Sequence, residues 1–111
     1  MKMNHVDVLD QDKLEMACEC LRTIAHPCRL RIIHTLLQAE RSVQELAEIC
    51  DIPSHMASEH LRLLKDRGLL SCRRQGRRIY YAVAEPALAS IMHCVVNKFS
   101  CTVEPKALKK I

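Results

Sequence analysis

The apolar positions at the start of the chain predict two consecutive helices. Between Asp10 and Ile24 they recur at steps of three and four, at Leu14, Ala17, Cys18, Leu21 and Ile24. This spacing is typical of one face of an amphipathic helix. The helix is expected to end near His26, because Pro27 suits the first turn of a new helix. The same period continues at Leu30, Ile33 and Leu37. We therefore predict a second helix from Pro27 to about Gln38.

Two shorter helices follow, joined by a tight connection. Residues 42–45, Ser-Val-Gln-Glu, have the spacing of a capping box, in which the first and last side chains each bond the other residue's backbone amide. A third helix should begin there and break at residues 51–53, Asp-Ile-Pro. Ser54 is expected to cap a fourth helix that runs through Arg67 and closes at Gly68. Two helices joined in this way form a helix-turn-helix.

After Gly68 the apolar period changes to two, which predicts a β-hairpin. Its apolar positions lie on two limbs, at Leu70, Cys72, Ile79, Tyr81 and Val83. We place the reversal at Gln75-Gly76. A last helix is expected from about Pro86, with an apolar stripe at Leu88, Ile91, Met92, Val95 and Phe99. The predicted fold is mostly α with a β-hairpin wing, a winged helix-turn-helix in the order α-α-α-α-β-β-α.

Length and composition agree with a single domain over 1–111. The chain is 49% hydrophobic, which is enough for one core, and its low aromatic content of 3% favours helices over a sandwich or barrel. We expect residues 1–9 and 104–111 to be flexible. No apolar run approaches the ~18 residues of a membrane span, and the N-terminus lacks a signal-peptide pattern. We therefore expect a cytoplasmic protein with no membrane partner.

Positive charge is concentrated late in the chain. The net charge is only +4, but residues 62–78 hold seven basic side chains against the single acid Asp66: Arg62, Lys65, Arg67, Arg73, Arg74, Arg77 and Arg78. The arginines at the hairpin tip cannot be buried there. They can lie against a phosphate backbone while the fourth helix enters the major groove of double-stranded DNA.

The faces of the fourth helix separate a core set from a DNA-facing set. Ala57, Leu61 and Leu64 form the inward stripe, and His60 beside them is expected to pack with one hydrogen bond. The candidate DNA contacts on the outward face are Ser54, His55, Ser58, Glu59 and Arg62. Those on the wing are Arg73, Arg74, Gln75, Arg77 and Arg78. Hydroxyl, imidazole and guanidinium groups suit base edges and phosphates. Strand alternation divides the wing arginines between two faces, and the sequence leaves open which face meets the DNA.

Three segments carry a resemblance to the ArsR/SmtB family of bacterial winged-helix repressors. They are AHPCRLRIIHTLL, SVQELAEICDIPSHMASEHLRLLKDRGLL and GRRIYYAV, and the resemblance extends from Leu14 to Cys101. It implies a homodimer that pairs through its first and last helices and binds a palindromic operator. It also implies release of that operator by a metal, a metalloid or a thiol-reactive signal.

The usual sensing sites of this family are not matched. The family's third-helix Cys-x-Cys pair is replaced by Ala47 and Ile49. The positions of its zinc ligands hold Ala84, Pro86, Asn97 and Ser100. For the persulfide-responsive type, Cys101 lies near the late cysteine position, but His34 stands at the early one.

The seven cysteines are an odd number, and in a chain without an export signal they indicate reduced thiols. Cys18, Cys50 and Cys72 lie on apolar stripes and are expected to be small buried hydrophobes. Cys20 lies outside the apolar face of the first predicted helix. Cys28 lies in the first turn of the second helix, where the helix dipole favours the thiolate form.

Candidate sensing residues are Cys18, Cys20, Cys28, Cys94 and Cys101. The last two are two turns apart on one face, about 10 Å along a helix axis, so a shared ion needs a further ligand between them. If the first and last helices meet in a dimer, thiolates from both could bind arsenite, cadmium, lead, copper(I) or zinc. Persulfide or oxidant sensing, and a purely structural role for the cysteines, remain open alternatives.

Two functions fit these patterns. The first is a dimeric repressor released from DNA by an effector at the cysteines. The second is a winged-helix module that binds RNA or protein and uses its cysteines structurally. An enzyme is not expected, because the sequence lacks a glycine-rich phosphate loop, a carboxylate pair and a nucleophile with a positioned base.

Overall fold

A computed structural model describes residues 8–100 of the chain. Its helices and strands are α1 (Gln11–Ile24), α2 (Pro27–Gln38), β1 (Arg41–Ser42), α3 (Val43–Cys50), α4 (Ser54–Asp66), β2 (Leu70–Gln75), β3 (Arg78–Val83) and α5 (Ala87–Phe99). This confirms the predicted winged helix-turn-helix order and adds one short strand. Cys101 and most of the two ends expected to be flexible lie outside the described residues. Within residues 8–100, no helix is long and apolar enough to cross a membrane.

Side-chain caps fix the starts of three helices. The Asp10 carboxylate accepts from the Lys13 backbone N–H at 2.9 Å, at the start of α1. The predicted capping box of α3 is present with both bonds, Ser42 N–H to Glu45 Oε1 at 2.9 Å and Glu45 N–H to Ser42 Oγ at 3.1 Å. His26 caps α2, because its Nδ1 accepts from the Cys28 backbone N–H at 3.1 Å.

The prediction that Ser54 caps α4 was wrong. Ser54 is the first helical residue, and the cap position belongs to Pro53, which makes no side-chain cap bond. Proline holds φ near −63° with an extended ψ of 150°, so its carbonyl can accept from the amides of Met56 and Ala57. The helix therefore starts by backbone geometry alone.

The turn between α3 and α4 uses a left-handed residue. Asp51 has φ 56° and ψ 52°, and the N–H of Ile52 bonds back to the carbonyl of Ala47. Aspartate tolerates this conformation better than most side chains. The predicted break at 51–53 is confirmed, and it sets the angle at which α4 leaves α3.

The core is built around α2. Its buried face is Ile32, Ile33 and Leu36, whereas the predicted Leu30 and Leu37 are only half-buried. The face is wider than one stripe because α2 packs against α3, α5 and β3 together. Other large side chains that are fully buried come from several elements: Leu46, Leu61, Leu64 and Leu88.

The wing belongs to a three-stranded antiparallel sheet in the order β1-β3-β2. The two-residue β1 pairs Arg41 with Tyr81 and Ser42 with Tyr80, and it was not predicted from the sequence. The hairpin pairs Gln75 with Arg78, so the turn is Gly76-Arg77, one residue later than predicted. Gly76 has φ 65°, which a two-residue hairpin turn requires.

Much of the apolar stripe predicted for α1 is exposed in the single chain. Only Thr23 and Ile24 of this helix are buried, while Leu14 and Leu21 are 44% and 54% exposed. On α5, Leu88 and Met92 are buried but Phe99 at the helix end is 70% exposed. A single chain therefore leaves apolar surface on its first and last helices.

Candidate DNA-binding surface

Helix α4 presents one polar face and one buried face, as the sequence predicted. Ala57, Leu61 and Leu64 are all 0% exposed. On the opposite side lie the five residues predicted to face DNA. Four of them are exposed, namely Ser54, His55, Glu59 and Arg62, and Ser58 is half-buried. The Asp51 turn positions this face, and the packing of α4 against α3 and β2 holds it.

A polar cluster lies behind α4. His60 Nδ1 accepts from Arg29 Nε at 3.2 Å, which confirms the single hydrogen bond expected of this histidine. Arg29 also donates to the carbonyl of Thr23 at 3.0 Å, and the His26 ring lies 4.9 Å from that of His60. Burial, Arg29 and His26 lower the pKa of His60 below the usual 6.5. At neutral pH His60 is therefore uncharged, with Nδ1 free of a proton and able to accept.

The far end of α4 is tied to α1 by exposed ion pairs. Arg67, the C-cap of α4, reaches Glu19 at 3.1 Å, and Glu19 also meets Arg22 at 3.2 Å. Arg67 and Arg22 lower the pKa of this carboxyl below its usual value. Together with Arg29 and Thr23, these contacts connect α1 and the start of α2 to both the middle and the end of α4.

Strand register assigns each wing arginine to a face. Arg74 lies opposite Ile79 and shares the side of Cys72 and Tyr81. Tyr81 is buried and feels the charges of Arg62 and Asp66, so this is the side that faces α4. Arg73, Gln75 and Arg78 share the other side with Tyr80, and Arg77 is in the turn.

Arg73 is engaged within the chain. Its guanidinium makes a two-point ion pair with Glu40 at 2.8 and 2.9 Å and donates to Gln75 Oε1 at 2.6 Å. It also lies over the Tyr80 ring, 4.9 Å from the centroid. The other three wing arginines differ, since Arg74, Arg77 and Arg78 are exposed and make no side-chain hydrogen bond or ion pair within residues 8–100.

The cysteines differ in part from expectation. Cys18, Cys72 and Cys94 are exposed, so the prediction that Cys18 and Cys72 are buried was wrong. The stripe of α1 that carries Cys18 is uncovered in one chain, and Cys72 lies on an exposed limb of the wing. Cys50, also expected to be buried, is half-buried, as is Cys28.

Cys20 also differs from its expected position outside the apolar face of α1, because it packs against the hydrophobic core. No group of three or more His, Cys, Asp or Glu side chains within residues 8–100 is placed to hold a metal ion. The described part of one chain therefore does not supply a complete metal site.

Comparison with known sequences places these features among bacterial DNA-binding regulators. A family model described as a helix-turn-helix domain matches residues 24–73. The repressor SmtB of Mycobacterium tuberculosis is 37% identical over 79 residues, which cover 71% of this chain and 58% of that protein. The chain thus spans just over half the length of this relative.

Two biofilm growth-associated repressors match more of their length. The one from Agrobacterium fabrum is 36% identical over 84 residues, covering 76% of this chain and 72% of the relative. The one from Xylella fastidiosa strain Temecula1 is 30% identical over 111 aligned residues, covering 96% of each. All three relatives are transcriptional repressors, in line with the expectation that this chain is not an enzyme.

Solved structures agree in fold. The homodimeric winged helix-turn-helix domain Mb0332 of Mycobacterium bovis, described as a possible ArsR-family regulator, has a TM-score of 0.69 at 30% identity. The match covers 81% of this chain and 86% of that one. The repressor BigR of Xylella fastidiosa has a TM-score of 0.73 at 28% identity, covering 86% of this chain and 100% of that one.

Proposed function

We propose that this chain, which belongs to the ArsR/SmtB family of winged helix-turn-helix transcriptional repressors, binds a two-fold symmetric DNA operator as a homodimer. The observation that carries the proposal is the exposed polar face of α4 beside wing arginines that the rest of the described chain leaves unpaired. In this arrangement α4 enters the major groove and each wing lies along the flanking backbone.

Different wing arginines have different roles in this proposal. Arg74, Arg77 and Arg78 contact phosphates, because their guanidinium groups are exposed and make no ion pair with the described residues. Arg73 instead supports the wing through Glu40 and Tyr80. The base edges and nearby phosphates are contacted by the outward face of α4, which consists of Ser54, His55, Ser58, Glu59 and Arg62.

The exposed apolar surface of α1 and α5 supports the dimer. Leu14 and Leu21 are removed from water if a second copy packs on α1, which favours association. In support, the structurally similar Mb0332 domain is described as homodimeric.

We further propose that release of DNA responds to a thiol-reactive effector. A metal or metalloid ion would need donors beyond the described residues of one chain, because these form no three-ligand group. Exposed Cys18 on α1 and exposed Cys94 on α5 are candidates for such a shared site, since these helices carry the proposed dimer surface.

A salt titration of DNA binding tests the function. Duplexes are first selected from a random-sequence library, and fluorescence anisotropy then follows their binding as salt is raised. We expect the double substitution Arg77→Ala and Arg78→Ala to weaken binding to every duplex. The log–log salt slope should flatten by about 0.9 for each phosphate that the variant no longer neutralises.

The control is Lys13→Ala, which removes an exposed positive charge from α1 and should leave the slope unchanged. An RNA of the same length and sequence serves as competitor. An unchanged slope in the double variant, or equal binding of RNA and duplex, would contradict the proposed function and favour a general nucleic-acid or protein-binding module.

A further inference from the structure

A second chemical site lies where the start of α2 meets the end of α3. A surface cleft of about 350 Å³ opens there. Its lining residues are Pro27, Cys28, Arg31, Cys50, Asp51 and Ile52. Both cysteines pack against the edge of the hydrophobic core and are half-buried, so they border the same cleft from two different helices.

The two thiols are close enough to influence each other. Burial raises the pKa of the Cys50 thiol above its usual value, and the neighbouring Cys28 raises it further, while Arg31 acts in the opposite direction. Cys50 is therefore protonated at neutral pH. Cys28 lies in the first turn of α2, at the positive end of the helix.

The chemistry open to this pair is restricted by its neighbours. No third Cys, His or carboxylate completes a metal-binding group among residues 8–100, so the cleft does not offer the three or four donors that zinc or cadmium takes. Two adjacent thiols without a third ligand are suited to two-electron oxidation, which joins them without further donors.

We propose that Cys28 and Cys50 are a redox-active pair that a peroxide oxidises to an intramolecular disulfide. The thiolate of Cys28 attacks one oxygen of hydrogen peroxide, an S–O bond forms and the O–O bond breaks. The hydroxide that leaves takes up the proton lost by Cys28 and becomes water. The sulfur of Cys50 then attacks the Cys28 sulfenic acid, the S–S bond forms and the S–O bond breaks. The hydroxyl group leaves with the proton of Cys50 as a second water, so two thiols lose two electrons to one peroxide.

The position of Cys50 gives the disulfide a route to the DNA-binding surface. Cys50 is the last residue of α3, Asp51 is the left-handed turn residue and α4 begins at Ser54. A bond from Cys50 to α2 fixes this end of α3 and changes the geometry of the turn that sets the direction of α4. This consequence rests on the proposed repressor function, whereas the disulfide itself does not.

Peptide mapping tests the disulfide without any DNA. Reduced full-length protein is treated with hydrogen peroxide, its remaining thiols are blocked and it is digested with trypsin without reduction. Cleavage after Arg22, Arg29, Arg41 and Arg62 leaves Cys28 in peptide 23–29 and Cys50 in peptide 42–62, each with no other cysteine. We expect the main intramolecular cross-link to join these two peptides.

Three variants sharpen the result. Cys28→Ser and Cys50→Ala should each abolish the cross-link, and Cys72→Ser, which removes an exposed thiol on the wing, should retain it. Circular dichroism establishes that each variant is folded. DNA binding by the oxidised protein should be weaker on the order of tenfold, a typical size for coupling between sites. A reductant should restore it, and Cys28→Ser should not respond to peroxide.

The outcomes separate this inference from the proposed function. If reduced protein binds duplex DNA but no Cys28–Cys50 cross-link forms, the inference is overturned and the repressor function stands. If the cross-link forms but reduced protein binds no selected duplex, the repressor function fails and the redox pair stands. A cross-link that leaves DNA affinity unchanged overturns the regulatory link between them.

Discussion

His60 and Arg73 are polar side chains in the DNA-binding half of the molecule that are committed to the fold. His60 accepts a hydrogen bond from Arg29, and Arg73 is held by Glu40 and Tyr80 within the wing. The outward placement of Ser54, His55 and Arg62 could be predicted from helical period alone. The engagement of Arg73 could not, because Glu40 is 33 residues away in the sequence and its contact depends on how β1 packs beside the wing.

The half-buried position of His60 beside Arg29 and His26 predicts a pH-dependent stability. Its pKa is lower in the folded chain than the usual 6.5, because burial, Arg29 and His26 disfavour the charged ring more than Glu59 favours it. Between the folded pKa and about 6.5 the unfolded state binds the extra proton, so stability is present above that range and is lost as the pH falls through it. We expect the free energy of unfolding in urea to fall as the pH is lowered from about 7.5 through about 6.5.

Two variants assign this pH dependence to His60. His60→Asn keeps an acceptor near the position of Nδ1 but does not titrate, so its unfolding free energy should depend less on pH. His55→Asn removes an exposed histidine from the same helix and should leave the wild-type pH dependence in place. Equal slopes for His60→Asn and the wild type would contradict the assignment.

Among the helices and strands, local signals predicted the start of α3 correctly but not the cap of α4. Residues 42–45 predicted the start of α3 because a capping box involves only neighbours in the sequence. β1 was missed because two residues show no alternation, and it exists only through pairing with Tyr80 and Tyr81 of β3. Cys18 was misplaced for a related reason, since the period of α1 marks an apolar face but does not say which chain covers it.

The two serines at helix starts provide a direct comparison. Ser42 is fully buried and caps α3, whereas Ser54 is exposed and makes no cap bond. We expect Ser42→Ala to lower the free energy of unfolding by about 1–3 kcal/mol, because it removes a cap and leaves the part-buried Glu45 amide without its partner. Ser54→Ala should change it by less than about 0.5 kcal/mol.

Urea denaturation of both variants measures this difference, with the slope against denaturant establishing that each unfolds in the same manner. Similar losses in the two variants would mean that Ser54 also caps its helix. A negligible loss in Ser42→Ala would mean that another group satisfies the first amides of α3.

For the molecule as a whole, contacts join α1, which carries the proposed dimer surface, to α4, which is proposed to bind DNA. A movement at the dimer interface is transmitted to α4 through these contacts. Glu19 of α1 holds Arg67 at the end of α4, and Arg29 joins the carbonyl of Thr23 to His60 in the middle of α4. The exposed stripe of α1 is on the same helix as Glu19 and Thr23. Displacement of α1 by a partner or an effector therefore moves groups that touch α4, the helix proposed to enter the major groove, at two points.

The proposed dimer surface leads to a test on α1. Leu21→Glu places a carboxylate in the exposed apolar stripe, where a second chain would have to bury it without a partner. We expect the variant to sediment as a monomer at concentrations at which the wild type is a dimer. Its affinity for a two-fold symmetric duplex should fall toward that for a single half-site, because the two wings and the two copies of α4 no longer bind together.

Glu15→Lys is the matched control, since it changes charge at an exposed position of α1 outside the apolar stripe and should leave the dimer intact. Leu14→Glu, about two turns earlier in the stripe, should repeat the effect of Leu21→Glu. If both leucine variants remain dimeric, α1 does not form the interface, and pairing must use α5 or another surface. If they become monomeric yet keep full affinity for the symmetric duplex, one chain is sufficient to bind the operator and the dimeric part of the proposal fails.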